Sequence, residues 1–310
     1  MLAAGHIAAR YNAPLISIGL LITGAAAISL IGKHLLTTAT ATLPWMRKKS
    51  TNLVATRPTT GPATMPKIWL VAHIDSKSQT IRMLVRVGAV VLTVIFFLLL
   101  LMTLVLQAFG TPMLLDGSSD ARGLEASIAA LLGAAATLPI VFCFITNESP
   151  GALDNATGVA TVLIAAEQLS RDANVGILIT SAEELGLAGA RAFVLAHPGK
   201  GTAINCDTID DNGKFICMTS GPNGRKGIAA RLDAASRSLG FPMQVRGFIP
   251  GILADSIALT DAGWDSCTVS RGNLGTLARV HTSGDRSDSI RGTGIANAAR
   301  ILAATVEELS

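Results

Sequence analysis

The chain has 310 residues, half of them hydrophobic and only 15% charged, with a net charge of +4 and a mean hydropathy of +0.50. That is too apolar for an ordinary cytosolic enzyme and fits membrane spans combined with a water-soluble part. The basic residues cluster beside apolar segments, so they read as membrane-surface charge, and the chain carries no nucleic-acid motif and no internal repeat. In chain order, residues 13–32 form the first apolar run, long enough to cross a bilayer at ~1.5 Å per residue over ~30 Å of hydrocarbon. It reads as a retained span rather than a signal peptide, because only Arg10 flanks its amino side and no clear cleavage site follows. Residues 33–66 are polar and irregular, with a basic anchor at Arg47-Lys48-Lys49 and a short strand expected over Asn52–Thr56. Ile68–Ala72 is a continuous apolar run of strand length, as in a sheet covered on both faces. A second span is expected over 83–108, a polar loop over 109–123, and a third span over 124–145, whose Pro139 would kink a helix without excluding a span. Two antiparallel spans joined by a short loop make a membrane hairpin that leaves and returns on one side.

After the hairpin the pattern becomes that of a water-soluble α/β protein. Helices are expected over Thr157–Leu169, Leu187–Ala196, Lys226–Leu239 and Ser289–Leu309 from their apolar spacing and stops. Strands are expected over Val175–Thr180, Thr202–Ile209, Lys214–Thr219, Met243–Ile249 and Ser266–Ser270, the second and third flanking an Asp211-Asn212-Gly213 turn of hairpin type. This alternation implies an α/β fold with a mixed, mainly parallel sheet and helices on both faces, plus three transmembrane helices. The expected division is 1–45 as N-terminal span and linker, 46–82 as the first part of the water-soluble domain, 83–145 as an inserted membrane hairpin, and 146–310 as the second part. The four cysteines form no CxxC pair, which points to a reducing compartment.

The stretch Ser149-Pro-Gly-Ala-Leu-Asp154-Asn-Ala-Thr-Gly158 organises the rest. Asp154 sits where a loop feeds a helix N-terminus; it can cap that helix or hold a cation. Other candidate ligands lie at or just beyond the ends of expected strands: His73-Ile74-Asp75, Glu183-Glu184, Asp207 and His281. Such loops at the carboxyl ends of strands supply ligand groups in α/β folds. Imidazole binds zinc through one nitrogen while a carboxylate can orient it through the other. Two adjacent carboxylates repel unless a cation or proton separates their roles; one can then bind metal while the other takes a proton from water. Of the five histidines, His6 and His34 flank the first span and His197 looks like a helix-end residue, leaving two for a metal.

The ordered set His73-x-Asp75, Gly151-Ala152-x-Asp154-Asn155-x-x-Gly158, Glu183-Glu184-x-Gly186, Asn205-x-Asp207 and His281-Thr282 resembles the di-zinc aminopeptidases, metallopeptidase family 28. That group includes aminopeptidase Y, the secreted bacterial leucyl aminopeptidases and the glutamate carboxypeptidase relatives. The resemblance covers about residues 51–82 and 146–310. It implies two zinc ions, one held by His73 and Asp207, the other by Glu184 and His281, with Asp154 bridging. It also implies Glu183 as general base, Asp75 orienting His73, and a cis peptide after Asp154. Asp255 aligns with the aspartate of a substrate-facing stretch whose other residues differ. Val280 stands where some members carry a tyrosine. The implied activity is zinc-dependent hydrolysis of peptide bonds, foremost removal of N-terminal amino acids from peptides. A glutaminyl-cyclase-like acyl transferase and a non-catalytic membrane scaffold are the alternatives.

His73 and Asp154 must meet at one site, so an even number of spans separates them. Arg47, Lys48, Lys49, Arg57, Lys67, Lys77 and Arg82 lie between the first and second spans against one acid, Asp75, whereas the loop between the second and third carries Asp116 and Asp120 against Arg122. Positive flanks stay inside. The expectation is an integral protein of the cell membrane with its peptidase domain cytoplasmic.

Overall fold

The computed structural model describes residues 1–38, 49–57, 65–111, 119–220, 226–248 and 252–309. The chain divides into two compact units, one of Met1–Thr37 with Gln79–Ile145 and one of Thr38–Ser78 with Thr146–Ser310.

The first unit is helical: α1 (Leu2–Tyr11), α2 (Pro14–Thr38), α3 (Met83–Ala108) and α4 (Ser119–Val141). Three stretches are long and apolar enough to cross a membrane, Pro14–Gly32, Met83–Ala108 and Ala121–Val141. The third ends at Val141 rather than at 145: Pro139 is accommodated inside it, the bond from Phe142 N to Leu138 O (3.0 Å) closes its last turn, and the chain then leaves the helix. Phe144 then pairs with Thr80 (Thr80 N to Phe144 O, 3.0 Å). Helix α1 has no counterpart among the expected elements. It packs on α4 through small residues: a Cβ on Gly5 would stand 2.5 Å from Ala130 Cβ, and one on Gly123 3.0 Å from Ala9 Cα. Small residues allow helix backbones this approach in an apolar medium. Gln107 of α3 donates to Asn12 Oδ1 (3.1 Å) and ties the end of α1 to α3.

The remaining strands are β1 (Leu53–Thr56), β2 (Ile68–His73), β3 (Ser78–Gln79), β4 (Ile145–Thr146), β5 (Val175–Thr180), β6 (Thr202–Ile209), β7 (Lys214–Thr219), β8 (Met243–Gly247) and β9 (Asp265–Gly272). Seven form one sheet in the order β1-β5-β2-β6-β9-β7-β8, and β3 and β4 pair separately. The pairs β2–β5, β2–β6, β6–β9 and β7–β8 are parallel, and β1–β5 and β7–β9 antiparallel. The helices of the second unit are α5 (Thr157–Gln168), α6 (Ala188–Ala196), α7 (Ile228–Ser238), α8 (Asp255–Asp261), α9 (Leu274–Arg279) and α10 (Thr293–Glu307).

Strand β2 is buried along its whole length, as expected for a strand covered on both faces. Its residues alternate between two cores. Ile68, Leu70 and Ala72 belong to the core that also holds Val162, Leu232 and Leu302 of α5, α7 and α10, while Trp69 and Val71 join Phe193 of α6 and Leu259 of α8. Gly176 leaves room for the Trp69 ring, which a Cβ there would meet at 2.6 Å.

Three expectations are corrected. First, β6 and β7 form no hairpin, because β9 lies between them. The connection crosses the end of β9, where Asp210 N donates to Arg271 O (2.8 Å) and Gly213, at φ +96°, passes so close to Gly272 that a Cβ would collide with its carbonyl. Second, the closing helix begins at Thr293 and not at Ser289. Asp211 spends its carboxylate on that start, accepting from Gly292 N (3.2 Å), Thr293 Oγ1 (2.8 Å) and Gly294 N (2.8 Å), so the helix N-terminus is satisfied there. Third, His281 follows the short helix α9 rather than a strand; α8 and α9 were not expected.

Candidate metal centre

Sheet geometry brings the first two side chains together. Parallel strands β2 and β6 pair from Ile68 with Thr202 to Val71 with Asn205. His73 and Asp207 stand two residues further along the same two strands. The His73 ring is buried, with Nδ1 2.9 Å from the main-chain oxygen of Asp75. A proton on Nδ1 therefore donates to that carbonyl and leaves the Nε2 lone pair free as a ligand. Nε2 lies 3.1 Å from Asp154 Oδ1 and 3.8 Å from Asp207 Oδ1.

Asp154 is carried by the turn Ala152–Ala156 that opens α5, and the Asp154–Asn155 peptide is cis. Side chains of this turn fasten it to β6. Asn155 donates to Cys206 O (2.9 Å) and accepts from Thr208 N (3.1 Å) and Gly158 N (3.0 Å), while Thr157 Oγ1 accepts from Ile209 N (3.0 Å). Gly158 is required here, since a Cβ would lie 2.2 Å from Asn155 Oδ1 and 2.4 Å from Cys206 O.

The other side chains come from two loops. His281, at φ +62° after α9, places Nε2 2.9 Å from Asp154 Oδ2 and 3.1 Å from Glu184 Oε1. Glu183 and Glu184 follow β5 in a loop with positive φ at Ala182 and Leu187. The carboxylate of Asp75 accepts both N–H groups of that pair, Glu183 N and Glu184 N, at 3.1 Å each. It lies 3.7 Å from His73 Nδ1, so its oxygens hold the glutamate loop while its carbonyl holds the ring. Asn52 fastens the loop from the other side, accepting from Ser181 N (3.1 Å) and donating to Gly189 O (2.8 Å). Lys77 donates to Glu184 Oε2, which leaves Oε1 for the His281 side.

Electrostatics at this cluster are dominated by acids. Burial opposes charge on Asp154, yet His281 and His73 hold its carboxyl far below the usual carboxylate range. Burial likewise opposes charge on the histidines, but the carboxylates around them win. His281 is pushed up to about 9 by Asp154 and Glu184, and His73 is raised well above its ordinary value by Asp154, Asp207 and Glu183. Burial raises Glu183 well above the usual range, with Asp255, Asp207 and Glu184 adding to it. Burial also raises Asp207.

Two groups of side chains offer ligand atoms that all lie within 4.8 Å of one another: His73, Asp154 and Asp207, and Asp154, Glu184 and His281. Nitrogen and carboxylate oxygen donors in this mixture suit zinc. Among the described residues, buried Glu184 Oε1 faces the His281 ring nitrogen at 3.1 Å and no other donor, an arrangement that suits a cation shared between the two. The residues therefore fit the metal that the resemblance implies. Glu183 belongs to neither group but sits beside Glu184. Asp255, the candidate for substrate contact, is fully buried and accepts from Thr180 Oγ1, with burial pushing its carboxyl up to about 6.

Asp75 is legible in the sequence as an orienting residue, but Lys77, Asn52 and Asp285, which also hold the candidate ligands, are not. From sequence Lys77 reads only as membrane-flanking charge, although its place after His73-x-Asp75 is a usable signal. Asn52 and Asp285, which accepts from the N–H groups of Leu153 and Asp154, gave no signal in the sequence.

Comparison with solved structures returns the same architecture. The zinc aminopeptidase BSAP from Bacillus subtilis is 17% identical, with 83% of this chain and 50% of that chain covered at a TM-score of 0.52. The aminopeptidase from Aneurinibacillus sp. strain AM-1 is 17% identical, with 83% and 47% covered at a TM-score of 0.51. This chain thus spans about half the length of each, and identity at this level speaks for the fold. No curated protein sequence matches the chain. The sequence profile of peptidase family M28 matches residues 135–306, more than half of the chain, and takes in Asp154, Glu183, Glu184, Asp207 and His281. The profile does not extend to His73, which the fold delivers to those residues through β2. The chain belongs to peptidase family M28.

Proposed function

We propose that the protein is a zinc-dependent exopeptidase that removes N-terminal amino acids from peptides. The observation that carries this reading is the placement of Asp154, whose Oδ1 faces His73 Nε2 at 3.1 Å and whose Oδ2 faces His281 Nε2 at 2.9 Å. One carboxylate with an imidazole at each oxygen is what a bridged pair of metal ions requires. His73 and Asp207 would hold one zinc, Glu184 and His281 the other, and Asp154 both. When bound, such a pair acidifies a water and polarises a carbonyl. Glu183 accepts a proton from the attacking water and passes it to the leaving amine. Asp75 keeps Glu183 and Glu184 in place through their N–H groups. BSAP and the Aneurinibacillus enzyme are named as aminopeptidases, which supports the choice of the amino end.

Detergent-purified protein should hydrolyse amino-acyl anilides, lose that activity to a chelator and regain it with zinc. Glu183→Gln should lower kcat by about 10²–10⁴ while metal content stays at the wild-type level, since it removes a proton acceptor and no ligand. Near-normal turnover in this variant would refute the base assignment.

We further propose that the three apolar helices span the cell membrane with the peptidase domain cytoplasmic, on the strength of the basic residues between the first two spans. External protease should spare the C-terminal domain in sealed vesicles whose cytoplasmic face is inside. Digestion before the vesicles are opened would reverse the orientation.

A further inference from the structure

The loop that carries His281 does a second thing. It runs from Val280 to Asp285 and is braced internally: Thr282 Oγ1 donates to Arg279 O (2.6 Å), Gly284 N donates to Thr282 Oγ1 (3.1 Å), and Asp285 N donates to Thr282 O (3.1 Å). At its end Asp285 is fully buried. Its two carboxylate oxygens are divided between two backbone donors, Oδ1 taking Leu153 N and Oδ2 taking Asp154 N (3.2 Å). Its own main-chain oxygen accepts a third, Ala152 N (3.4 Å). The brace begins on the other side of the site. Arg279 pairs with Asp210, whose chain position is three residues after Asp207 on β6. One loop therefore supplies the ligand His281 and grips the main chain of the ligand Asp154.

We propose that Asp285 is a positioning residue that sets Asp154 between the two metal positions, so that the second is completed only while the His281 loop is docked on the Asp154 turn. The proposal rests on the two-metal reading above. A carboxylate can accept at both oxygens, whereas an amide accepts at one and presents N–H at the other. Asp285→Asn therefore sets an NH2 against Leu153 N–H or Asp154 N–H, and the turn must shift. Groups that orient metal ligands in this way are typically worth about 10- to 100-fold in metal affinity.

The experiment is a metal titration of full-length protein, by competition with a chromogenic chelator, on wild type, Asp285→Asn and Asp285→Ser. The serine variant opens space for water and relieves the clash. Cobalt(II) absorption gives the coordination state of each site without reference to turnover. Wild type should bind two ions. Asp285→Asn should weaken the second by about 10- to 100-fold and alter the cobalt spectrum, with Asp285→Ser between the two. Two ions bound with wild-type affinity and spectrum in a folded Asp285→Asn protein would overturn the inference. Failure of both variants to fold would assign Asp285 to the fold instead and overturn it too. A wild type that binds one ion or none would remove the two-metal reading itself, a result that the variants cannot mimic.

Discussion

The two halves of the proposed metal centre are built differently. His73 and Asp207 stand on neighbouring parallel strands, two residues past the last β2–β6 pair Val71–Asn205, so the strands carry them side by side even though β6 bulges against β9 between Cys206 and Ile209. Glu184 and His281 stand on loops, with positive φ at Ala182, Leu187 and His281. Strand pairing does not reach them, and local turn bonds are reinforced by side chains: Asp75, Asn52 and Lys77 for the glutamates, Arg279 with Asp210 and Asp285 for the His281 loop. The hydrogen bonds behind the two imidazoles differ as well. His73 Nδ1 is engaged by the Asp75 carbonyl at 2.9 Å, while His281 Nδ1 has no partner among the described residues. A ligand without that partner is less firmly oriented. The lesson is that the strand-borne half is set by the fold and the loop-borne half by polar clamps. The loop half should therefore be the easier one to empty.

The strongest test of that contrast is Asp75→Asn. The carboxylate takes two adjacent N–H groups, and an amide can take only one of them, so Glu183 and Glu184 are released together. Activity should fall by about 100-fold and metal affinity of the loop half by about 10-fold or more. An ion held by His73 and Asp207 should remain, because the ring is held by the Asp75 main chain. Metal analysis after gel filtration should then find one ion per chain where wild type has two. Loss of both ions in a folded variant would show that Asp75 serves the two halves equally and would break the comparison.

The same contrast explains what could be read from residues alone. The candidate ligands were legible as an ordered set of motifs that resembles the di-zinc aminopeptidases, and His73, Asp154, Asp207, Glu184 and His281 do converge in space. Strands such as Val175–Thr180, Thr202–Ile209 and Lys214–Thr219 were legible to the residue because both faces are covered and turn residues bound them. Sheet order was not, since an Asp-Asn-Gly turn looks alike whether its strands pair or admit β9 between them. Helix α1 went unread because Ala4, Gly5 and Ala8 signal close packing only once α4 lies against them. The clamps were invisible for a simpler reason: an asparagine in position 52 or an aspartate in position 285 has no pattern until the loop it holds is folded beside it.

A smaller effect is expected from Asn52→Ala. It strips the acceptor from Ser181 N and the donor from Gly189 O, both fixed ends of the glutamate loop. Leaving buried polar groups unpaired costs about 1–3 kcal/mol, a loss that thermal or urea unfolding would register. Because Asp75 still holds Glu183 N and Glu184 N, activity should drop by less than about tenfold, equivalent to about 1.4 kcal/mol in the barrier. A loss as deep as that of Asp75→Asn would mean that the loop is set from its ends rather than from its centre.

The smallest effect belongs to the strand half. Ser270 Oγ donates to the main-chain oxygen of Asp207, so Ser270→Ala removes a side-chain clamp from a ligand already held by its strand. The parallel pairing of β6 with β2 on one side and β9 on the other stays intact, and the Asp207 side chain keeps its hydrogen bond from Thr208 Oγ1 at 3.1 Å. Stability should fall by only about 0.5–1.5 kcal/mol, the net worth of one such bond, and both metal affinity and kcat should match wild type. The comparison between the halves depends on this null result. If Ser270→Ala emptied the His73–Asp207 position as readily as Asp75→Asn empties the other, register alone would not set the strand-borne ligands. Both halves would then depend on side-chain clamps.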